Sequence, residues 1–268
     1  MTSEETIVRA RAGDAAALEE LVVSLQPKIY RLALRMIWHP EDARDATQEI
    51  LIRIITNLSA FRGESAFSTW TYRIAANHLL TVRKNRLEEQ GYTFERFGRE
   101  LGQNLSEPHS PEDTLLLEEI KVGCTLAMLQ CLDRPLRLAY ILGEILELDH
   151  AEASSVLAVS PAVYRKRLSR ARNIVVEFMK AKCGLVEPRN SCRCSKRLHV
   201  ALQLGRVDPG HLLFAQNSEN SHAFRGVLVE IRRLDEGRRA AALYRSADDA
   251  VPPATFTARI RELLSGMR

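Results

Sequence analysis

Through most of the first 180 or so positions the apolar residues return every three or four places, the spacing of one helical face rather than of a strand. From Ala15 to Trp38 the set is Leu18, Leu21, Val22, Leu25, Ile29, Leu32, Ala33 and Met36. It predicts a helix with a kink or break at Pro27, whose ring removes the N–H that a helix interior needs. Before it, Thr2-Ser3-Glu4-Glu5 offers a capping box for a short first helix that Gly13-Asp14 closes. After it, His39-Pro40-Glu41-Asp42 reads as a turn and helix start, and the next helix runs from about Asp42 to Leu58, burying Ala43, Ala46, Ile50, Ile54 and Leu58. Asp42, Asp45 and Glu49 then fall in one acidic stripe on its outer face. Beyond the loop Arg62-Gly63-Glu64-Ser65, a fourth helix carries Trp70, Ile74, Ala75 and Val82 and ends in the basic run Arg83-Lys84-Asn85-Arg86.

The periodicity fades between about Leu87 and Asp113, where Gly, Glu, Gln, Ser and Pro take over and Pro108 and Pro111 stand near the end; this stretch reads as a polar linker. It resumes over Thr114 to Lys182, first through Leu115, Leu116, Ile120, Leu126 and Leu129. Within this second block, His150 to Leu157 keeps Ala153, Val156 and Leu157 at helical spacing, and Ala158 to Ser160 form a turn. Ser160 then serves as N-cap, with Pro161 at the first helical position, where its missing N–H costs nothing. The new helix turns Val163, Leu168 and Ala171 toward a core and presents Arg165, Lys166, Arg167, Arg170 and Arg172 with no intervening acid. A charge run alone is usually a solvated face. A capped turn followed by charge of one sign is how a helix-turn-helix looks when its second helix enters a DNA groove, some side chains meeting phosphates and others base edges.

The predicted fold is therefore all-α: a helical domain over residues 1–86, a polar linker over 87–113, a second helical domain with the helix-turn-helix over 114–182, and a mostly helical C-terminal extension over 183–268. Gly184, Pro188, Gly205, Pro209, Gly210 and the Pro252-Pro253 pair punctuate that extension. At 268 residues, 46% apolar and 6% aromatic, the chain can bury two helical cores. Its net charge of +4 is too modest to indicate nucleic acid, so the placement of the bases carries that inference. No run of about 18 apolar residues and no secretory leader pattern occurs, which predicts a cytoplasmic protein without membrane insertion. Five cysteines, an odd number, argue against a disulfide framework. No Ser-His-Asp set, Gly-rich phosphate loop or paired carboxylate suggests an enzyme.

Two helical blocks joined by a polar linker, the second closing on a helix-turn-helix, resemble bacterial sigma factors of the extracytoplasmic-function (ECF) type, in the sigma-70 family, over about Glu4 to Lys182. Asp42-Ala43-Arg44-Asp45-Ala46-Thr47-Gln48-Glu49 resembles the signature with which these factors bind the clamp helices of RNA polymerase; the resemblance implies Asp42, Asp45, Gln48 and Glu49 as polymerase contacts. Phe61 through Asn77 is similar to the segment that opens and reads the −10 element, which implies Arg62, Gly63, Glu64, Ser65, Arg73, Asn77 and, just beyond, Arg83 as DNA contacts. Holding an unstacked base requires a loop with aromatic neighbours beside a cationic track, and Phe61, Phe67, Trp70 and Tyr72 stand nearby. Core packing is the favoured role for Phe67 and Trp70 themselves. Ser160 through Arg172 resembles the helix that reads the −35 element, implying Ser160, Ala162, Arg165, Lys166, Arg167 and Arg170. The chain departs from the family pattern at Ala162, often glycine, at Tyr164, usually small and apolar, and in the loose form of Leu136-Arg137-Leu138-Ala139-Tyr140. The implied function is promoter recognition and transcription initiation with core RNA polymerase and promoter DNA as partners, an anti-sigma factor as a further partner, and no required cofactor.

Cys183, Cys192 and Cys194, with His199 beyond, form C-x8-C-x-C-x4-H, zinc-type donors in a spacing outside the common finger patterns. Reduced, unligated thiols are the alternative to zinc. Lys182, Arg189, Arg193, Lys196 and Arg197 around them are expected to lower the thiol pKa values and make them redox-responsive. Cys124 and Cys131 read as core. The extension exceeds the minimal family architecture, which points to regulation in cis or a regulator-binding role. Two other functions stay open: a helix-turn-helix regulator acting without polymerase, against which the Asp42 to Asn77 match argues, and a metal- or redox-responsive protein acting through the extension.

Overall fold

The computed structural model describes residues 3–102, 114–215 and 236–245, and every regular element within them is helical. Pro108, Pro111 and Pro252-Pro253 lie outside these residues. The first block comprises α1 (Glu4–Arg11), α2 (Ala15–Ile37), α3 (Pro40–Thr56), a 3-10 turn (Leu58–Ala60) and α4 (Phe67–Thr81). Ser3 caps α1 by accepting from the Thr6 N–H at 3.1 Å. Asp14 caps α2, accepting from the Ala16 and Ala17 N–H groups at 2.9 and 3.2 Å. Of the kink or break expected at Pro27, the break does not occur: α2 continues through it. Leu21, Val22 and Leu25 before the proline and Ile29, Leu32 and Ala33 after it are all buried. At roughly 1.5–3 kcal/mol for each large aliphatic side chain, that face outweighs the ~3 kcal/mol a helical proline costs.

The linker does not lack structure. It folds into α5 (Arg86–Glu89) and α6 (Phe94–Gly102) as far as it is described. Asn85 and Glu88 form a reciprocal capping box at the start of α5. Phe97 is buried on α6 and stacks on Phe178 at 5.7 Å, with Tyr92 and Leu101 buried beside it. The apolar residues that anchor this segment are few, which is why the polar composition around them masked the helix.

The second block contains α7 (Thr114–Gln130), α8 (Arg134–Tyr140) continuing into a π-helical turn (Ile141–Ile145), α9 (His150–Val156) and α10 (Pro161–Lys182). The helix-turn-helix is α9–α10, with Ala158 at φ +50° in its turn and the Ser160 hydroxyl accepting from the Val163 N–H at 3.3 Å. Val163 is exposed rather than buried; Tyr164 takes the core place, and Tyr164, Leu168, Ala171, Val175 and Met179 form the inward face. Room for a tyrosine where small residues are usual comes from Gly143 on the π turn. A Cβ there would stand 2.5 Å from Tyr164 Oη and 2.9 Å from Leu168 Cδ1. We expect Gly143→Ala to destabilise the chain by about 1–3 kcal/mol in thermal unfolding. Gly102→Ala, which meets nothing within 4 Å, should leave it unchanged. Beyond α10, the described tail supplies α11 (Cys194–Gln203), packed on α7, and α12 (Glu236–Arg245), packed on α7, the π turn and α10.

The two blocks are docked on each other: α2 packs on α7 and α8, and α4 on α8 and α9. Two arginines of α8 make much of the junction. Arg134 donates to both carboxylate oxygens of Glu88, at 2.9 and 2.8 Å, and to the carbonyls of Leu80 and Val82 at the end of α4, at 3.2 and 2.5 Å. Arg137, 1% exposed, donates to the carbonyls of Leu129 (2.8 Å), Leu132 (2.9 Å) and Met36 and to Gln130 Oε1 (2.8 Å), and pairs with Glu88 at 3.0 Å. Burial pushes the Glu88 carboxyl upward, but Arg134, Arg137 and the Asn85 N–H together hold it below the usual carboxylate range.

Candidate nucleic-acid and polymerase interface

The outer face of α10 presents Ser160, Ala162, Arg165, Lys166 and Arg170 exposed, with Arg167 half-buried. None of these four cations has a side-chain hydrogen bond or ion pair to a described residue. Arg172 is different. Its Nε donates to Glu144 at 2.9 Å, which ties it to the π turn and away from any ligand. Ser160 divides its role, since its hydroxyl is spent on the cap.

In the first block, Arg62, Gly63 and Glu64 are exposed and Ser65 half-buried on the loop before α4, with Gly63 at φ +76°, a backbone shape that favours glycine. Below the loop Phe61, Phe67 and Trp70 form a half-buried cluster, centroids 5.1–5.7 Å apart, so packing accounts for these rings. Asn77 and Arg83 are exposed along the same route. Arg73 is not. Its Nε donates to the Ser155 carbonyl at 3.0 Å and its Nη2 to the Ser155 hydroxyl at 2.8 Å, while Thr69 beside it donates to Glu152 at 3.0 Å. Both partners belong to α9, the first helix of the helix-turn-helix, and nothing in the sequence signals that pairing.

Asp42, Asp45 and Glu49 are exposed on α3, as their spacing requires, and Gln48 is half-buried beside them. Asp42, Asp45 and Glu49 line an open groove together with Arg83, Lys84, Arg86 and Glu89. His78 lies at its floor, buried, and desolvation together with Arg53 lowers its pKa. The groove thus offers carboxylates to a basic partner and guanidinium groups to a phosphate within one concavity.

The tail thiols depart from expectation. Cys183 and Cys192 are paired by an isolated β-bridge, and Cys194 opens α11 close by. His199, five residues on and thus about 140° around α11, is exposed and does not join them. Cys124 of α7 lies nearer, within electrostatic reach of all three. Among the described residues no set of three or more Cys, His, Asp or Glu is arranged to hold a metal ion. The basic neighbours do not lower the thiol pKa values either. Burial dominates, raising Cys183 and pushing Cys192 up to about 11 and Cys194 up to about 12. Thiols shifted in that direction are held in the protonated form at neutral pH. Cys131, expected in the core, is likewise pushed up to about 12 by burial.

Comparison with known proteins finds relatives in sequence and in fold. The family described as Sigma-70 region 2 fits residues 21–87, the part that carries the acidic stripe, the Arg62 loop and α4. The ECF RNA polymerase sigma-E factor of Escherichia coli is 32% identical over 183 residues, covering 65% of this chain and 93% of that protein. The RNA polymerase sigma-H factor of Pseudomonas aeruginosa is 32% identical over 176 residues, covering 64% and 91%. In fold, the chain is similar to CnrH in its complex with the cytosolic domain of CnrY, with a TM-score of 0.50 at 19% identity, over 68% of this chain and 99% of that one. No described helix is long and apolar enough to cross a membrane. The chain belongs to the ECF sigma factors of the sigma-70 family, non-enzymatic initiation factors, and it binds core RNA polymerase and directs promoter recognition and the start of transcription.

Proposed function

We propose a division of labour among these groups. Asp42, Asp45, Gln48 and Glu49 dock on a basic surface of core polymerase. The Arg62-Gly63-Glu64-Ser65 loop, with Arg73, Asn77 and Arg83, handles the −10 element, and Ser160, Ala162, Arg165, Lys166, Arg167 and Arg170 engage the −35 element. The chain acts in the cytoplasm, where the polymerase works, and performs no catalysis of its own. The observation that carries this reading is the α10 face, where exposed cations stand without acidic partners among the described residues on the second helix of a helix-turn-helix.

Run-off transcription with core polymerase, this chain and genomic fragments tests the assignment. Arg165, in the first turns of α10 where such helices meet base edges, should read sequence, so Arg165→Ala is expected to cost about 1–3 kcal/mol and relax preference at one −35 position. Lys166→Ala should weaken all promoters alike and reduce the salt slope by about one. Uniform loss from both variants would remove the base-reading role of Arg165.

A further inference from the structure

Cys183 is the C-cap of α10, and Cys192 stands just ahead of α11, so the two mark the passage from the helix-turn-helix into the tail. They form a parallel β-bridge, with the Gly184 N–H donating to the Cys192 carbonyl at 3.0 Å. Bridged residues stand about 4.8 Å apart across a ladder, inside the roughly 4.4–6.8 Å between Cα atoms that a disulfide spans. Both carry free thiols, half-buried, each within electrostatic reach of the other. Cys194 comes from the same stretch but packs elsewhere. It lies against a separate apolar cluster of Ile120, Leu198, Ala201 and Val207, whereas Cys183 and Cys192 both pack on the main core.

The loop between the two cysteines is held in shape by polar contacts. The Val186 and Glu187 N–H groups donate to the Cys183 carbonyl at 3.2 and 2.9 Å, and the Asn190 amide donates to the Lys180 carbonyl at 2.8 Å. The Arg193 guanidinium donates to the carbonyls of Pro188 at 2.7 Å, Cys192 at 2.9 Å and Asn190. Val186 is buried within the loop. The close approach requires glycine at position 184: a Cβ there would stand 1.3 Å from Arg193 Nη1 and 2.4 Å from the Cys192 carbonyl oxygen. The arginine could swing aside, but the carbonyl is backbone and part of the bridge itself. Closing a bond between the two sulfurs therefore asks little movement of the chain.

We propose that Cys183 and Cys192 are a reversible dithiol-disulfide modification site, oxidised by small-molecule disulfides of the glutathione class. A thiolate of the pair attacks one sulfur of glutathione disulfide, forming a mixed disulfide and expelling one glutathione thiolate. The second cysteine gives its proton to water and attacks the protein sulfur of that mixed disulfide, so that the Cys183–Cys192 bond forms and the second glutathione leaves. Two protein thiols are oxidised, and one glutathione disulfide is reduced to two thiols. Burial keeps both cysteines protonated, which makes the exchange slow at neutral pH. The loop geometry, rather than an activated sulfur, selects the pair. In reducing glutathione the site stays open, and it closes as glutathione disulfide accumulates. The bond would lie at the opposite end of α10 from Ser160, and the proposal does not depend on the promoter assignments.

The test uses the full-length chain, reduced, then equilibrated without denaturant in glutathione buffers of rising oxidised fraction, quenched by alkylation and mapped by mass spectrometry. Wild type should lose two alkylatable thiols, and the linked peptides should join Cys183 to Cys192. Cys194→Ser should form the same bond, and Cys192→Ser should leave Cys183 as a free thiol or a glutathione adduct. Gly184→Ala keeps every thiol but forces the bridge apart, so it should need about tenfold more glutathione disulfide for half-closure. A bond mapped to Cys124 or Cys194 overturns the proposal. So does a wild-type chain whose thiols all stay alkylatable in a buffer that oxidises the urea-unfolded chain. Equal closure of Gly184→Ala and wild type, at equal helicity by circular dichroism, also overturns it. Should Gly184→Ala lose helicity, the Cys194→Ser map decides: the Cys183–Cys192 bond supports the site, and any other bond, or none, removes it.

Discussion

Arg137→Ala should destabilise the chain by about 3–5 kcal/mol, the largest stability loss we expect from any single substitution here. The guanidinium is 1% exposed, and its removal takes one of two cations from the Glu88 carboxylate and strands the carbonyls of Met36, Leu129 and Leu132. Arg134 still reaches Glu88, which sets the lower end of the range. Urea unfolding at neutral pH measures the loss, and adding Glu88→Gln should restore part of it, because a neutral amide no longer needs both arginines. The pair also fixes an acid limb. The folded-state pKa of Glu88 is depressed, so its stabilising contribution is fully present above the unfolded carboxylate value of ~4.3 and disappears as pH falls through the lower folded one. Docking of the two blocks should therefore weaken in acid, and the Glu88→Gln chain should lack that component of the pH dependence. An unchanged acid limb in that variant would assign it to other carboxylates.

The same junction marks what could not be read from the sequence. Helix α10 was legible because its signals are local: the Ser160 cap, Pro161 and charge of one sign all lie within thirteen residues, and α10 begins where they place it. The acidic stripe was legible for the same reason, since three carboxylates on one helix need only the helical period to converge. Long-range pairings carry no such period. Arg73 with Ser155 is separated by 82 residues, and Arg137 with Met36 by 101. Each pairing is settled by which polar groups remain unsatisfied once two apolar faces have met. At Tyr164 a local rule misled, because the period alone did not say whether Val163 or its larger neighbour pointed inward; the deciding feature was the space left by Gly143. For the thiols, the sequence listed basic neighbours but not depth, and depth determined the sign of the pKa change.

Asp45→Arg should weaken association with core polymerase by about 100-fold or more. Asp45 stands between Asp42 and Glu49 on the exposed stripe of α3, so reversing it replaces an attraction by a repulsion at the middle of the docking face. Close charge pairs across interfaces couple by about 1.5–7 kcal/mol, and a hundredfold change needs only ~2.7 kcal/mol. Because Asp45 has no ion pair or side-chain hydrogen bond within the described residues, its folding cost should stay within about 0.5 kcal/mol. A matching variant separates position from net charge. Glu5→Arg, on the exposed side of α1, raises the formal charge by the same two units, from +4 to +6, and should leave polymerase affinity nearly untouched. Titration of each chain against core polymerase at two ionic strengths distinguishes the cases. The Asp45→Arg defect should shrink at the higher salt, because both partners of an exposed pair are screened over a Debye length of about 8–10 Å. Equal effects from the two variants would mean that the acidic stripe is a solvated helix face and that polymerase docks elsewhere on the first block.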